Sequence, residues 1–199
     1  MAKLTSEGTM QVYNAAGDVL SYRDISSFTL DDVLFLGRTA PSFYGAFTNA
    51  FSFKDVTLDF AFTYKLGHKV RMPDVYAYYG RNVFKSFDNR WRQPGDEEKT
   101  WIPRSMYDSY GGMELAVLTH NDKIVEKGDL VRLKYVSLGY DFSRILHTPW
   151  INGLALKFNV ENPWFWAANS YKLDTDRLIG GTYYGNQNTY YTISLNVKF

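Results

Sequence analysis

Val56-Thr57-Leu58-Asp59-Phe60-Ala61-Phe62-Thr63-Tyr64-Lys65-Leu66 is the stretch that decides how this chain is read. Its even positions are apolar or aromatic throughout, and its odd positions are Thr, Asp, Ala, Thr and Lys. Successive side chains of an extended strand point to opposite faces, so this period predicts a long strand with one oily face. Just upstream, Phe43, Gly45, Phe47, Phe51 and Phe53 share a face, interrupted by Asn49. Tyr44, Ala46, Thr48, Ala50 and Ser52 occupy the other. Lys54-Asp55 between the segments predicts a tight turn, and therefore a hairpin.

Further along, Val131–Phe142 brings Val136, Leu138, Tyr140 and Phe142 into phase. A strict period of two also puts Arg132 and Lys134 on that oily face, which suits a strand end projecting beyond the apolar band. Leu154–Val160 gives a fourth strand through Leu156 and Phe158. The last is Tyr191–Phe199, with Tyr191, Ile193, Leu195, Val197 and Phe199 opposite Tyr190, Thr192, Ser194, Asn196 and Lys198. Strands of about ten residues exceed the usual soluble length of about 5–6 and match a tilted bilayer crossing. The links at Lys54-Asp55 and Ser143–Asn152 are short, whereas His68–Asp129 and Asn162–Asn188 are long. Short turns alternating with long loops are the pattern of outer-membrane barrels, whose long loops face outside.

Composition narrows the function. Among 199 residues, 22 Lys+Arg against 21 Asp+Glu leave a formal charge of +1, which speaks against a nucleic-acid partner. Cysteine is absent, so disulfides and thiolate metal sites are excluded. His68, His120 and His147 are too scattered to suggest a metal centre. No apolar run is long enough for a membrane-spanning helix, and a mean hydropathy of -0.32 looks soluble. That value misleads for barrels, in which lipid-facing residues alternate with polar ones. Met1–Gly8 turns polar before an apolar segment can form, so no secretory signal is expected there.

Four stretches, in order, resemble one family. Asp122-Lys123-Ile124-Val125-Glu126-Lys127-Gly128-Asp129-Leu130-Val131-Arg132-Leu133-Lys134-Tyr135-Val136-Ser137-Leu138-Gly139-Tyr140 resembles the late barrel segment of SusC/RagA-type TonB-dependent outer-membrane transporters. Pro41–Asn49 is similar to a strand of that family after a long loop, Asn89–Asp96 to its following loop motif, and Tyr191–Phe199 to its closing strand. The resemblance covers roughly residues 31 to 199 and fits least well over Asn162–Gly185. It implies the C-terminal part of a barrel of about 22 strands, with plug, energy-coupling box and signal peptide expected upstream. It also implies import of a glycan or peptide, with the remaining barrel and plug, a SusD-like lipoprotein, the TonB complex, the barrel assembly machinery and the lipid bilayer as partners. Phe199, an aromatic ending a strand with apolar residues at every second place, resembles the signal by which such barrels are recognised for assembly.

Catalytic constellations are missing: no Gly-x-Ser-x-Gly occurs, and any Ser/His/Asp triad would be arbitrary. Gly180–Gly185 lacks the strand-to-helix setting of a phosphate loop. Asp31-Asp32, Asp96-Glu97-Glu98 and Asp174 with Asp176 lack the spacing of a Ca²⁺ loop and read as solvated charge. Trp91, Trp101, Trp150, Trp164 and Trp166 all fall in predicted connections. Trp150 beside a short turn reads as an interfacial aromatic, whereas Trp91, Trp101, Trp164 and Trp166 are candidates for stacking on a ligand in outer loops.

These readings converge on an all-β antiparallel meander of about five long strands, part of a large transmembrane β-barrel with long extracellular loops. Residues 1–40 are expected to form an extracellular loop and lead-in, and residues 41–199 the C-terminal strands. No enzymatic activity and no cofactor is expected. The rival is a soluble β-sandwich carbohydrate-binding module, suggested by the aromatic content of 18%. It fits poorly with the long gap between the second and third strands. A small barrel completed by oligomerisation is a third possibility.

Overall fold

A computed structural model describes residues 2–14, 16–20, 29–72, 88–104, 121–146, 148–179 and 182–199. Its strands, in chain order, are β1 (Ala2–Leu4), β2 (Met10–Tyr13), β3 (Val19–Leu20), β4 (Phe43–Phe53), β5 (Val56–Leu66) and β6 (Lys69–Arg71). There follow β7 (Val125–Lys127), β8 (Leu130–Asp141), β9 (Gly153–Ala167), β10 (Leu178–Ile179), β11 (Thr182–Tyr183) and β12 (Tyr190–Lys198). Helical structure among the described residues is confined to short 3₁₀ turns, so the protein is all-β. The chain divides into two units, one of residues 1–37, 70–126 and 178–183, the other of 38–69, 127–177 and 184–199.

The second unit is built on a five-stranded antiparallel sheet in the order β12-β9-β8-β5-β4. The predicted hairpin forms with the expected bounds, and Lys54 adopts a left-handed φ of 53° in its two-residue turn. Register carries the alternation of β5 across every strand. Phe51, Leu58, Leu138, Phe158 and Ile193 make one row of the oily face; Ala50, Asp59, Ser137, Asn159 and Thr192 make the next row, on the polar face.

A β-bulge corrects the sequence reading of the third strand. Ala61 pairs with Tyr135, but the next residue, Phe62, pairs with Leu133, so Lys134 is an extra residue in β8. Its neighbour β9 shifts at the same level, through Asn162, at a φ of 50°, and Pro163. Proline lacks the N–H a regular ladder needs, so a bulge accommodates it. One inserted residue exchanges the two faces for all that precedes it. Val131 and Leu133 therefore join the oily face with Tyr64 and Phe62, and Arg132 pairs with Thr63 and Phe165 on the polar face. The fourth strand is also longer than its Leu154–Val160 core, because it resumes beyond the bulge and runs to Ala167.

The first unit contains the small antiparallel sheet β1-β2-β3 within the segment expected as a lead-in. Ala2 and Met10 are buried with Leu4, Val12 and Trp101 around them, and Ile102 and Ile124 are buried beside Trp101 and Val125. Asn121 caps a 3₁₀ turn by accepting from the backbone N–H of Lys123 and Ile124 at 2.8 and 3.3 Å. Gly8, at a φ of 75°, lies against the Trp91 ring so closely that a Cβ would overlap it.

Candidate functional site

The oily face of the five-stranded sheet is uncovered among the described residues. Phe43, Phe47, Phe51 and Phe53 of β4, Leu58 of β5, Leu138 of β8 and Phe158 of β9 are all exposed. So are Tyr191, Ile193 and Leu195 of β12; Leu138 is 50% exposed and Ile193 70%. Soluble proteins rarely leave so large a contiguous apolar patch open to water. Aromatic rings stand at both ends of this face. Trp150 is exposed in the short link between β8 and β9, and Tyr64, Trp164 and Trp166 are exposed at the opposite ends of β5 and β9, where the long connections begin.

Both outermost strands have an open edge. Among the described residues β4 pairs only with β5, and β12 only with β9. The polar face carries Thr57, Asp59, Thr63, Asn159, Glu161, Thr192 and Ser194, with an ion pair of 3.5 Å between Lys157 and Asp59. At its long-connection end lies a tighter ionic cluster. Arg132 is 3% exposed; its guanidinium meets Asp174 at 2.5 Å and Asp176 at 3.4 Å, and lies 5.5 Å from the centre of the Phe165 ring. Lys65 reaches Asp176 at 2.6 Å.

The candidate tryptophans separate into two sets. Trp164 and Trp166 lie in β9, on the oily face opposite Leu133 and Val131, and not in a connection as the sequence reading had them. The long link expected from Asn162 onward begins only beyond Ala167, and Asn162-Pro163 form the bulge within β9. Trp91 and Trp101 do lie in the long connection, both half-buried. The Trp91 indole donates to Glu97 at 3.0 Å, its backbone N–H donates to the Ile102 carbonyl at 2.9 Å, and Trp101 packs on both small cores. Phe199 is 86% exposed, one residue past β12.

The acidic clusters hold protein groups. Asp96 accepts from the backbone N–H of Arg92 and Gln93, each at 3.2 Å, and these bonds hold its carboxyl below the ordinary range. Glu97 is lowered in the same direction by its own backbone N–H first and by the Trp91 indole next. The Asn89–Asp96 motif is thus a loop tied by its own carboxylates. No group of three or more His, Cys, Asp or Glu able to hold a metal occurs among the described residues. His120 and His147 lie outside the described residues, as do Gly180 and Gly181 of the glycine-rich stretch; Thr182–Tyr183 of that stretch form β11.

A lone antiparallel sheet with an oily and a polar face, short turns at one end and long connections at the other, is a segment of β-barrel wall. Solved structures bear out this fold. The chain is similar to a chain of the RagAB peptide importer in the open-open state, with a TM-score of 0.65 and 18% identity over 100% of this chain. Against the closed-closed state of that importer the TM-score is 0.60 with 18% identity, and against the RagAB peptide transporter it is 0.62 with 16%, each over 98% of this chain. The chain spans 22% of the length of each of these chains. No protein-family model matches the sequence, and no curated protein does. A sandwich is not favoured: the described residues contain no second large sheet facing the oily one.

Proposed function

We propose that this chain supplies wall strands and outer connections to a SusC/RagA-type, TonB-dependent outer-membrane transporter that imports a large nutrient, a glycan or peptide, and that it performs no chemical step. The observation that carries this reading is the uncovered oily face between two sets of exposed aromatics. The ten steps between the eleven residues of β5, at about 3.4 Å each and tilted by about 40°, rise about 26 Å, close to the apolar band of about 25 Å in outer-membrane barrels. We assign Trp150 at one end, and Tyr64, Trp164 and Trp166 at the other, to the aromatic girdles at the two membrane surfaces. We assign Trp91 and Trp101 to the packing of an outer connection, which leaves the ligand to be met by the more exposed parts of the loops. Phe199 is proposed as the assembly signal.

The open edges of β4 and β12 require partners. In hydrocarbon each unpaired backbone group costs several kcal/mol, so two bare edges would cost tens of kcal/mol. Further strands of the same barrel supply them in this proposal, with a plug and TonB complex beneath and a SusD-like lipoprotein outside. The similarity to peptide importers makes oligopeptides the first solutes to try. The test is fractionation and uptake in the native host: the chain should sediment with the outer membrane, and disrupting its gene should abolish uptake of labelled oligopeptides or oligosaccharides. Recovery of the chain as a detergent-free soluble protein, with uptake of both intact, would overturn the proposal.

A further inference from the structure

The β9–β12 connection is tied to the sheet by three consecutive residues that reach different points. Asp174 is fully buried; one carboxylate oxygen meets Arg132 of β8, and the other accepts from the Gln187 backbone N–H at 3.5 Å. The Thr175 hydroxyl donates to the Gly128 carbonyl at 3.0 Å. Asp176 bridges Arg132 and Lys65, so the connection is clamped to both β8 and β5. Asn169 closes the start of the connection on itself, exchanging two bonds of 2.8 Å with the Leu173 backbone.

His68, in the turn after β5, belongs to this cluster. It is buried, its Nδ1 has no hydrogen-bond partner among the described residues, and its carbonyl accepts from the Gly128 N–H at 2.8 Å. The charged groups that act on it come from each element around it: Lys65 from β5, Asp129 from the turn before β8, and Asp176 from the β9–β12 connection. Asp129 is itself held in place by the Gly67 N–H at 2.7 Å.

We propose that Asp174, Thr175 and Asp176 form a latch that pins the β9–β12 connection to the polar face, and that protonation of His68 opens it. A neutral imidazole fits the buried site, whereas an imidazolium would be desolvated there and would add a cation beside Lys65. Asp129 and Asp176 pull the other way, but burial is the larger influence and holds the imidazole below its ordinary value of 6.5. The stabilisation of the closed latch is therefore complete above pH 6.5 and is lost as pH falls through the lower value of the closed state. This inference rests on the proposed function for its membrane setting alone and holds whichever solute the barrel carries.

The chain has no cysteine, so a single introduced thiol reports cleanly. Ala167, buried at the end of β9 where the connection departs, suits Ala167→Cys, and exposed Asp18 suits Asp18→Cys as a control for the intrinsic pH dependence of the thiol. Maleimide labelling would be measured in native outer membranes, counting folded, protease-resistant protein. Relative to the control, labelling of the Ala167→Cys variant should rise several-fold between about pH 7.5 and about pH 5.5, as the closed latch loses the stabilisation that a neutral His68 gives it. Adding His68→Gln should abolish the rise, and adding Asp174→Asn should give fast labelling at both pH values. A labelling rate in the Ala167→Cys variant that follows the control at every pH, or an unchanged rise with His68→Gln, would overturn the proposal.

Discussion

The two units of this molecule use the same apolar residue types in opposite ways. In the first, Met10, Ile102 and Ile124 are drawn out of water into two small cores. In the second, Leu58, Leu138, Phe158, Ile193 and Leu195 form a continuous oily surface that no part of the described chain covers. Apolar content therefore does not by itself identify a core. The arrangement of the residues separates the two cases: in the first unit they close on themselves as clusters, whereas in the second they stand in uncovered rows on one face of a long sheet.

The comparison can be broken most sharply at the buried ion pair of the second unit. Arg132→Ala removes the partner of the buried Asp174 and should cost about 3–5 kcal/mol, since an uncompensated carboxylate remains. A denaturant titration of the membrane-inserted protein reads this loss. Ile124→Ala in the first unit should cost about 2–4 kcal/mol through a cavity, seen as faster hydrogen exchange confined to that unit. Leu138→Arg should cost about 2–4 kcal/mol in a bilayer, as for a cation near the midplane of a barrel wall, although half of Leu138 is exposed. If the oily face met water, the same change would fall within about 0.5 kcal/mol. Lys99→Ala, which deletes an exposed pair with Asp96 at 3.4 Å, should change stability by less than about 0.5 kcal/mol in the same assay.

The long hairpin was legible because β4 and β5 keep an unbroken period of two, and its turn lies where the period breaks. The first half of β8 was not. Its bulge residue, Lys134, has no distinguishing chemistry, and the clue was Arg132 and Lys134 falling on an otherwise apolar face. Asn162-Pro163 hid the last residues of β9 in the same way, and with them the place of Trp164 and Trp166. Most of the ionic latch was out of reach. Arg132 and Asp174 are 42 residues apart, and only register across the bulge brings Arg132 to the polar face. The small cores of the first unit were equally hidden, because strands of three or four residues are too short to show a period.

Collision accessibility along β12 tests the central claim most directly. Nitroxides placed one at a time at Thr192, Ile193, Ser194 and Leu195 in native outer membranes would be relaxed with oxygen, which concentrates in hydrocarbon, and with a water-soluble nickel chelate. Ile193 and Leu195 should favour oxygen, and Thr192 and Ser194 the chelate. Contact with the chelate at all four positions, or with neither reagent at Ile193 and Leu195, would contradict an oily face turned toward lipid.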